Sequence, residues 1–351
     1  MTSANPLAED LDLILSRTGP QWEELRGQRI FITGGTGFFG RWLLESFAWA
    51  NTQLKLKAEA VVLTRNPSAF AKKAPQLAAN PSIKLHDGDV RDFTFPAGRF
   101  SHVIHGATEA SVKLNRENPQ LMLETIVAGT RRTVEFAAGA GTRKFLFISS
   151  GAVYGKQPPE LSHIPEDFAG TPDPAGPPNA YGEGKRTGET LSVTMARQHG
   201  FEAKIARCFA FVGPHLPLDG HFAVGNFIRD GLAGGPIQVL GDGTPVRSYL
   251  YSAELAVWLW TILFKGTNAR AYNVGSETCL TIAETARVVA ENFFLPLPVQ
   301  IQTPAGPSPA MRYVPCTRRA REELWLMQEI EPCRAIQKTL RWLEKINAAP
   351  A

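Results

Sequence analysis

The sequence predicts an α/β fold in which helices cover both faces of a parallel sheet, with a smaller C-terminal α/β lobe attached. Short apolar runs alternate with longer amphipathic segments up to about residue 208. A glycine cluster directly follows the first run, and Gly, Pro and aromatic residues interleave from about residue 213 onward. Strands that alternate with helices form right-handed βαβ units, which assemble into a doubly wound parallel sheet.

The elements of this sheet follow one another in chain order. Residues 7–26 predict one or two short helices before the first strand. The predicted strands are RIFIT (29–33), AEAVVLT (58–64), IKLHDGD (83–89), SHVIHGA (101–107), KFLFISS (144–150) and EAKIARC (202–208). Helical periodicity covers 41–50, 117–140 and 181–199. Each strand is short, apolar and bounded by turn residues, as buried strands of parallel sheets are.

The glycine cluster predicts a dinucleotide site. In RIFITGGTGFFGRWLL, a strand comes directly before Gly34, Gly37 and Gly40, and a helix comes directly after them. In that context the glycines allow a tight turn and let the backbone approach a pyrophosphate at the helix N-terminus. The fold is therefore predicted to be Rossmann-type, and Phe38 and Phe39 lie in the same turn.

These elements divide the chain into three parts. Residues 1–28 form an N-terminal helical extension, and 29–212 form the NAD(P)-binding Rossmann domain. Residues 213–351 form mainly the C-terminal substrate-binding lobe. This boundary is soft, because the strand AYNVGS (271–276) can rejoin the main sheet.

The end of the second strand bears on the choice of cofactor. An acidic residue there would bind the ribose hydroxyls of NAD, but this chain has Arg65. A guanidinium can pair with the 2′-phosphate of NADP, so the sequence favours NADP and leaves NAD open. Asp89 ends the third strand and Val90 follows it. Asp89 is a candidate to bind the adenine amino group, with a turn or cap role as the alternative.

Composition excludes several other classes of protein. The net charge of +4 comes from scattered residues, without the basic stripe of a nucleic-acid interface. The four cysteines are far apart, which predicts free thiols and no metal site. The N-terminus lacks a secretory signal pattern, and the most apolar stretch, 255–264, is too short to span a membrane. We therefore expect a cytoplasmic protein with no membrane or nucleic-acid partner.

Three polar residues predict proton transfer chemistry. Tyr181 and Lys185 are four residues apart, so a helix places both on one face. A nearby ammonium stabilises a phenolate and is expected to lower the pKa of Tyr181 from near 10. Ser150 ends a predicted strand, at the sheet edge where ligands bind, and its hydroxyl can share a substrate proton.

The motifs TGGTGFFG, HGATEAS, FISSGAVYG, YGEGK and GDGTPVRSYLY occur in this order. Together they resemble the extended short-chain dehydrogenase/reductases, and more narrowly the NAD-dependent epimerase/dehydratase family that acts on nucleotide sugars. The resemblance covers about residues 29 to 345. It implies a nucleotide-diphosphate sugar as substrate, NAD or NADP as cofactor, and a homodimer.

The resemblance also implies a set of site residues. Ser150, Tyr181 and Lys185 would be catalytic, with the last two also touching cofactor. The cofactor would further contact Gly34, Gly37, Phe38, Phe39, Gly40, Arg65, Asp89, Val90, Gly106 and Ala107. The substrate would contact Glu109, Ser150, Tyr154, Asn226, Val239, Arg247 and Arg312. Burial in the core is the alternative for Tyr154.

Three departures from the family pattern narrow the chemistry. The family's decarboxylases and 4,6-dehydratases carry a glutamate at the position of Ala152, and the dehydratases add an aspartate at Gly151. Elimination needs an acid and a base beyond the tyrosine, and Glu109 is the nearby substitute. The family often has an asparagine where this chain has Ile126, which removes a polar link near the lysine unless a water replaces it.

We therefore expect reduction of a 4-keto sugar or epimerisation through a transient ketone, with Tyr181 as acid and base. A nucleotide-sugar dehydratase or decarboxylase is the alternative. A non-catalytic dinucleotide-binding protein is a further alternative, although it would not need Ser150, Tyr181 and Lys185.

Overall fold

A computed structural model describes residues 5–108, 112–173, 179–220, 222–306 and 309–348. Within these residues, seven parallel strands form one sheet. Numbered along the chain, they are β1 (Arg29–Thr33), β2 (Glu59–Thr64), β3 (Ile83–Asp87), β4 (His102–His105), β5 (Lys144–Ser150), β6 (Glu202–Cys208) and β11 (Arg270–Val274). The order across the sheet is β11-β6-β5-β4-β1-β2-β3.

This order reverses direction at β1. The chain adds β2 and β3 on one side of β1, then crosses back and adds β4, β5 and β6 on the other side. At such a switch point the loops at the carboxyl ends diverge and leave a crevice between β1 and β4. The predicted α/β Rossmann-type fold is therefore confirmed, and β11 lies in the main sheet beside β6.

Helices cover both faces of the sheet. The principal ones are α2 (Phe38–Gln53), α6 (Pro119–Gly139), α7 (Ala180–His199) and α9 (Ser252–Lys265), and α3 (Pro67–Lys73), α4 (Pro75–Ala78) and α5 (Val112–Glu117) are shorter. Successive residues of β1 point to opposite faces, so Ile30 and Ile32 pack in one core cluster and Phe31 in another. Both faces are thus buried, which explains the continuous apolar runs in the sequence.

The N-terminal extension is part of the core. It consists of α1 (Ala8–Thr18) and a 3-10 helix, Gly19–Leu25. Trp22 is fully buried, and its ring centroid lies 4.5 Å from that of Trp260 on α9. Asp10 accepts a hydrogen bond of 2.7 Å from the hydroxyl of Tyr251. The extension therefore stabilises the face of the sheet that α9 covers.

The remaining elements build the smaller lobe and its connections. They are β7 (Phe211–Val212), α8 (Ala223–Leu232), β8 (Ile237–Val239), β9 (Val246–Ser248), β10 (Leu250–Tyr251), β12 (Cys279–Thr281), α10 (Ile282–Glu291), β13 (Val299–Ile301), β14 (Arg312–Tyr313), α11 (Arg318–Leu324) and α12 (Pro332–Ala348). A small sheet in the order β12-β9-β14 brings Arg247 beside Tyr313. No helix in the described part of the chain is long and apolar enough to cross a membrane.

Candidate active site

A cavity of about 520 Å³ lies at the carboxyl ends of the central strands. Its size is that of an ordinary small-molecule site. The predicted residues that line it are Gly34, Gly37, Phe38, Phe39, Gly40, Arg65, Asp89, Val90, Gly106, Ala107, Ser150, Tyr181 and Lys185. The fold thus brings the predicted cofactor residues and the predicted catalytic residues into one cavity.

The glycine turn is closed by close backbone approaches. Gly34 has φ +74°, and a Cβ there would lie 2.5 Å from the carbonyl carbon of Gly106. A Cβ on Gly40 would lie 2.3 Å from the Gly34 carbonyl oxygen. Helix α2 begins directly after Gly37, and no side chain of the described residues caps it. Its first amides are therefore available to an anion.

The loop after β4 is held by a buried hydrogen-bond chain. Thr33 Oγ1 accepts bonds of 3.2 Å from the amides of both Gly106 and Ala107. Thr33 Oγ1 also lies 2.7 Å from Nδ1 of His105, whose Nε2 lies 3.1 Å from Thr130 Oγ1. Burial lowers the pKa of His105 to about 3, so its ring is neutral at physiological pH.

The directions of the protons in this chain follow from its donors. Thr33 already accepts two amide protons, so its hydroxyl donates to Nδ1 of His105, and Nε2–H donates to Thr130. Thr130 in turn donates to the carbonyl of Ile126 at 2.7 Å. The chain links helix α6 to the backbone that closes over Gly34.

Two charged residues that the sequence singled out lie at the end of the cavity predicted to hold adenosine. Arg65 lines the cavity and is exposed. Asp89 forms a two-pronged ion pair with Arg91, with bonds of 2.8 and 3.1 Å. Arg91, and to a smaller extent Arg65, lowers the pKa of Asp89. The carboxylate that was predicted to bind adenine is therefore already engaged by an arginine.

The catalytic candidates come from two neighbouring elements. Ser150 ends β5, and its Oγ accepts a bond of 3.2 Å from the amide of Ala152. Tyr181 and Lys185 lie in the first turns of α7, and Lys185 Nζ lies 5.8 Å from the centre of the Tyr181 ring. Lys185 Nζ donates to the carbonyl of Ile148 at 2.8 Å, which anchors the lysine to β5.

Electrostatics at this trio differ from the prediction. Burial raises the pKa of Tyr181 to about 12, although a hydrogen bond with Ser150 acts in the opposite direction. Burial also lowers the pKa of Lys185 to about 8, against the attraction of Cys208 and Glu189. The prediction that the pKa of Tyr181 is lowered is wrong for the chain by itself, because desolvation dominates at this buried phenol. The phenol keeps its proton at neutral pH.

The structure places the two predicted phosphate arginines on adjacent strands of the small sheet. Arg247 Nη1 donates to the carbonyl of Val246 at 2.9 Å. Arg312 Nη2 lies 3.3 Å from Sγ of Cys279, and its Nε donates to the carbonyl of Ser162 at 3.3 Å. Both arginines are partly buried and lie beyond the lining of the 520 Å³ cavity.

The other predicted substrate residues are elsewhere. Tyr154 is buried, and its hydroxyl is engaged by Asn273 at 2.8 Å and by Arg207 at 2.9 Å, so the core alternative describes its position. Val239 is 1% exposed inside the core, and Asn226 accepts a bond from Arg229 on the surface of α8. Glu109 lies outside the described residues.

Several residues of the cavity escaped the sequence reasoning. Cys208 and Phe209 line it at the end of β6, and Met122 lines it from α6. Tyr313 reaches Ser150, with 3.3 Å between the two hydroxyl oxygens. The position of Tyr313 directly after Arg312 was the available signal. Ile126, in place of the family asparagine, packs against Gly184, where a Cβ would lie 3.0 Å from its Cδ1.

These features fit a dinucleotide such as NAD. The turn at Gly34 and Gly40 leaves no room for side chains of the chain itself, and the uncapped start of α2 faces the cavity. Among the described residues, no group of three potential metal ligands occurs.

Comparisons with known proteins identify the family. The NAD dependent epimerase/dehydratase family matches residues 30–275. UDP-glucuronic acid decarboxylase 3 of Arabidopsis thaliana is 31% identical over 263 residues, which cover 75% of this chain and 74% of that protein. Structural similarity extends to the NAD-bound dTDP-glucose 4,6-dehydratase of Streptomyces venezuelae, with a TM-score of 0.76 and 22% identity, covering 90% of this chain and 97% of that one.

A UDP-galactose 4-epimerase structure matches with a TM-score of 0.72 and 26% identity, covering 91% of this chain and 99% of that one. The predicted enzyme class, nucleotide-sugar chemistry and NAD dependence are confirmed at the level of the family. This chain belongs to the NAD-dependent epimerase/dehydratase family.

Proposed function

We propose that this enzyme epimerises a nucleotide-diphosphate sugar through a transient ketone, by hydride and proton transfer alone. One observation carries the proposal. Of the described residues that line the cavity, only Asp89 has a carboxylate, and that carboxylate is paired with Arg91. Elimination or decarboxylation would need a further acid or base at the sugar.

The proton steps fall to three residues. Tyr181 exchanges a proton with the sugar hydroxyl that becomes the ketone, and Ser150 shares a hydrogen bond with the same oxygen. Lys185, anchored to the Ile148 carbonyl, holds its positive charge near the phenol and favours the phenolate when the proton leaves. The Tyr181 phenolate takes the hydroxyl proton as the ketone forms, and the phenol so formed returns that proton to the ketone oxygen when the other face of the sugar is reduced.

The cofactor residues are Gly34, Gly37, Phe38, Phe39 and Gly40 at the pyrophosphate turn. Arg65, Asp89, Val90, Gly106 and Ala107 would complete that site, together with Tyr181 and Lys185. NAD, when bound, supplies the hydride acceptor and a positively charged nicotinamide ring. The family's dependence on NAD favours this cofactor over NADP, towards which Arg65 had tilted the prediction.

The diphosphate of the substrate would meet Arg247 and Arg312. Both lie in the small lobe, on neighbouring strands, and arginine binds phosphate oxygens in pairs. This assignment treats residues 213–351, apart from β11, as the substrate-binding lobe of the predicted division. Glu109 remains a candidate to orient the sugar.

A second candidate is reduction of a 4-keto nucleotide sugar by NADPH. Arg65 lines the cavity and is exposed, so it is free to meet a 2′-phosphate. In this reaction Ser150, Tyr181 and Lys185 would transfer a proton in one direction only, from Tyr181 to the ketone oxygen. The similarity to UDP-glucuronic acid decarboxylases also leaves decarboxylation as an alternative, with Glu109 as its acid.

A substrate panel separates these reactions. Purified enzyme is incubated with UDP-glucose, UDP-galactose, UDP-glucuronic acid and a 4-keto dTDP-sugar, and products are followed by NMR. Interconversion of C4 epimers without net loss of cofactor supports the proposal. Consumption of NADPH with the keto sugar supports the reductase, and release of CO₂ from UDP-glucuronic acid overturns both. A Glu109→Gln variant shows whether any such release depends on that carboxylate.

We also propose a homodimer that pairs the outer surface of α6. This surface presents Leu123, which is 38% exposed, beside Val127 and Ala128, with Arg131 and Glu135 as charges of opposite sign. A two-fold axis would set each arginine against the partner's glutamate. Sedimentation of a Leu123→Asp variant tests this arrangement, and a wild-type monomer would contradict it.

A cytoplasmic location is part of the same proposal. All four cysteines are free thiols, and Cys279 and Cys316 are partly exposed. Exposed thiols are usual in a reducing compartment. Fractionation of the source cells would test it.

A further inference from the structure

Tyr313 brings a second phenol to the catalytic serine. It belongs to β14 of the small lobe, and its ring centroid lies 4.7 Å from that of Phe209. Its hydroxyl oxygen lies 3.3 Å from Ser150 Oγ and 3.4 Å from the carbonyl oxygen of Cys208. The lobe that would bind substrate therefore contacts the catalytic trio directly.

The donors and acceptors around Ser150 allow two proton arrangements. The Cys208 carbonyl can only accept, so the Tyr313 hydroxyl donates to it and the Tyr313 oxygen is left to accept from Ser150. Ser150 Oγ then faces Tyr181 as an acceptor, which suits a neutral phenol. A Tyr181 phenolate needs the Ser150 proton for itself, and Tyr313 then loses its donor.

We propose that Tyr313 is a positioning residue, whose hydroxyl competes with Tyr181 for the Ser150 proton and so favours the neutral form of Tyr181. Contacts of 3.3 and 3.4 Å are long for hydroxyl hydrogen bonds, so the serine proton changes partner at low cost. The proposal deepens the proposed function, since it rests on Tyr181 as the acid and base.

The same side chain also restricts position 151. A Cβ on Gly151 would lie 2.8 Å from the Tyr313 hydroxyl and 2.7 Å from the Phe209 ring. Tyr313 and Phe209 therefore occupy the room that an acidic side chain at this position would need. The Tyr313 phenol, which hydrogen-bonds Ser150, therefore fills the space of an aspartate at position 151, whose carboxylate would support elimination.

The charged and titratable groups around Tyr181 and Tyr313 come from three elements. Lys185 lies on α7 beneath the Tyr181 ring, and Cys208 on β6 adjoins both Tyr181 and Tyr313. Arg247 on β9 lies 5.9 Å from the Tyr313 ring centre. Tyr313→Phe keeps the ring and leaves these groups in place, so it removes the hydroxyl alone.

The test measures the titration of position 181 directly. 3-Fluorotyrosine is incorporated there, and its ¹⁹F NMR signal is followed against pH in the full-length protein, in Tyr313→Phe and in Tyr272→Phe. Tyr272 on β11 is a matched control, because it is buried away from the cavity and its hydroxyl contacts Glu323 and the Thr267 amide.

We expect the midpoint to fall by about half to one pH unit in Tyr313→Phe, the size of one net hydrogen bond. It should stay unchanged in Tyr272→Phe. An unchanged or higher midpoint in Tyr313→Phe overturns the inference. In active enzyme, the limb of the pH profile of kcat that reports Tyr181 should move by the same amount, and a fall in kcat with an unmoved limb would also overturn the inference.

This readout needs no substrate, so it separates the two proposals. A lowered midpoint in a protein that converts no nucleotide sugar supports the role of Tyr313 and refutes the proposed function. Epimerisation by the wild type together with an unmoved midpoint supports the proposed function and refutes the role of Tyr313.

Discussion

The proposed cofactor side and the proposed sugar side of the active site are built in different ways. On the cofactor side, the segments that follow β1 and β4 pack backbone against backbone. A Cβ added to Gly34 or Gly40 would lie within about 2.5 Å of a backbone atom of Gly106 or Gly34. On the sugar side, Arg247 and Tyr313 extend from short strands of the smaller lobe, and side chains make the contacts.

This difference shows which kinds of site a sequence reveals. A backbone site needs glycines at set spacings beside a strand, and that pattern is visible in the chain. A side-chain site needs residues distant in sequence to converge, and each of them alone is common. The following changes should affect one side and spare the other.

Replacing Tyr181 by Phe should have the largest effect, because this residue lies where the two sides meet. We expect kcat to fall by about 10³-fold, within the range for loss of a general acid or base. NAD affinity should stay within about twofold, since the pyrophosphate turn is untouched. Turnover assays and titration calorimetry measure both. Retained turnover would refute the role of Tyr181 as proton donor.

Gly34→Ala should damage the cofactor side. The new Cβ would meet the Gly106 backbone at 2.5 Å, at a residue with φ +74°. We expect NAD affinity to fall by about 100-fold, since a strained and displaced turn no longer presents its amides. Gly200→Ala is the matched control, with φ +77° and no atom within 4 Å. Equal NAD affinity in both variants would contradict the proposed turn.

Lys185 should make stability depend on pH at the junction of the two sides. Burial lowers its pKa from 10.5 to about 8, so between these values the unfolded chain binds a proton that the native chain lacks. Stability therefore rises with pH across that window. Relative to Lys185→Met, we expect the wild type to gain about 2 kcal/mol between pH 7.5 and 9.5 in urea unfolding. An identical pH slope in both would show that the lysine is not desolvated.

Arg312→Gln should weaken the sugar side only. We expect KM for the nucleotide sugar to rise about tenfold, the loss of one charge-assisted contact, with NAD affinity unchanged. Arg318→Gln is the control, since Arg318 is exposed on α11 of the same lobe. A KM that stays at the wild-type value would remove Arg312 from the substrate site.

Sequence reasoning was accurate where contacts are local. Strands β1, β5 and β6 have the predicted bounds, and Tyr181 and Lys185 share a helix face as their spacing requires. It left Tyr154 open between the sugar pocket and the core, because the Asn273 and Arg207 that bind its hydroxyl are far away in the chain. It also misjudged the pKa of Tyr181, since desolvation depends on every element that covers the residue.

The chain by itself determined the alternation of strands and helices, the glycine turn and the pair on α7, because each depends on spacings within a few residues. The tertiary structure alone decided that Tyr313 meets Ser150 and that Arg247 and Arg312 share a small sheet. The two hydroxyls of Ser150 and Tyr313 are 163 residues apart in the chain. The packing of the smaller lobe against the main sheet brings them together.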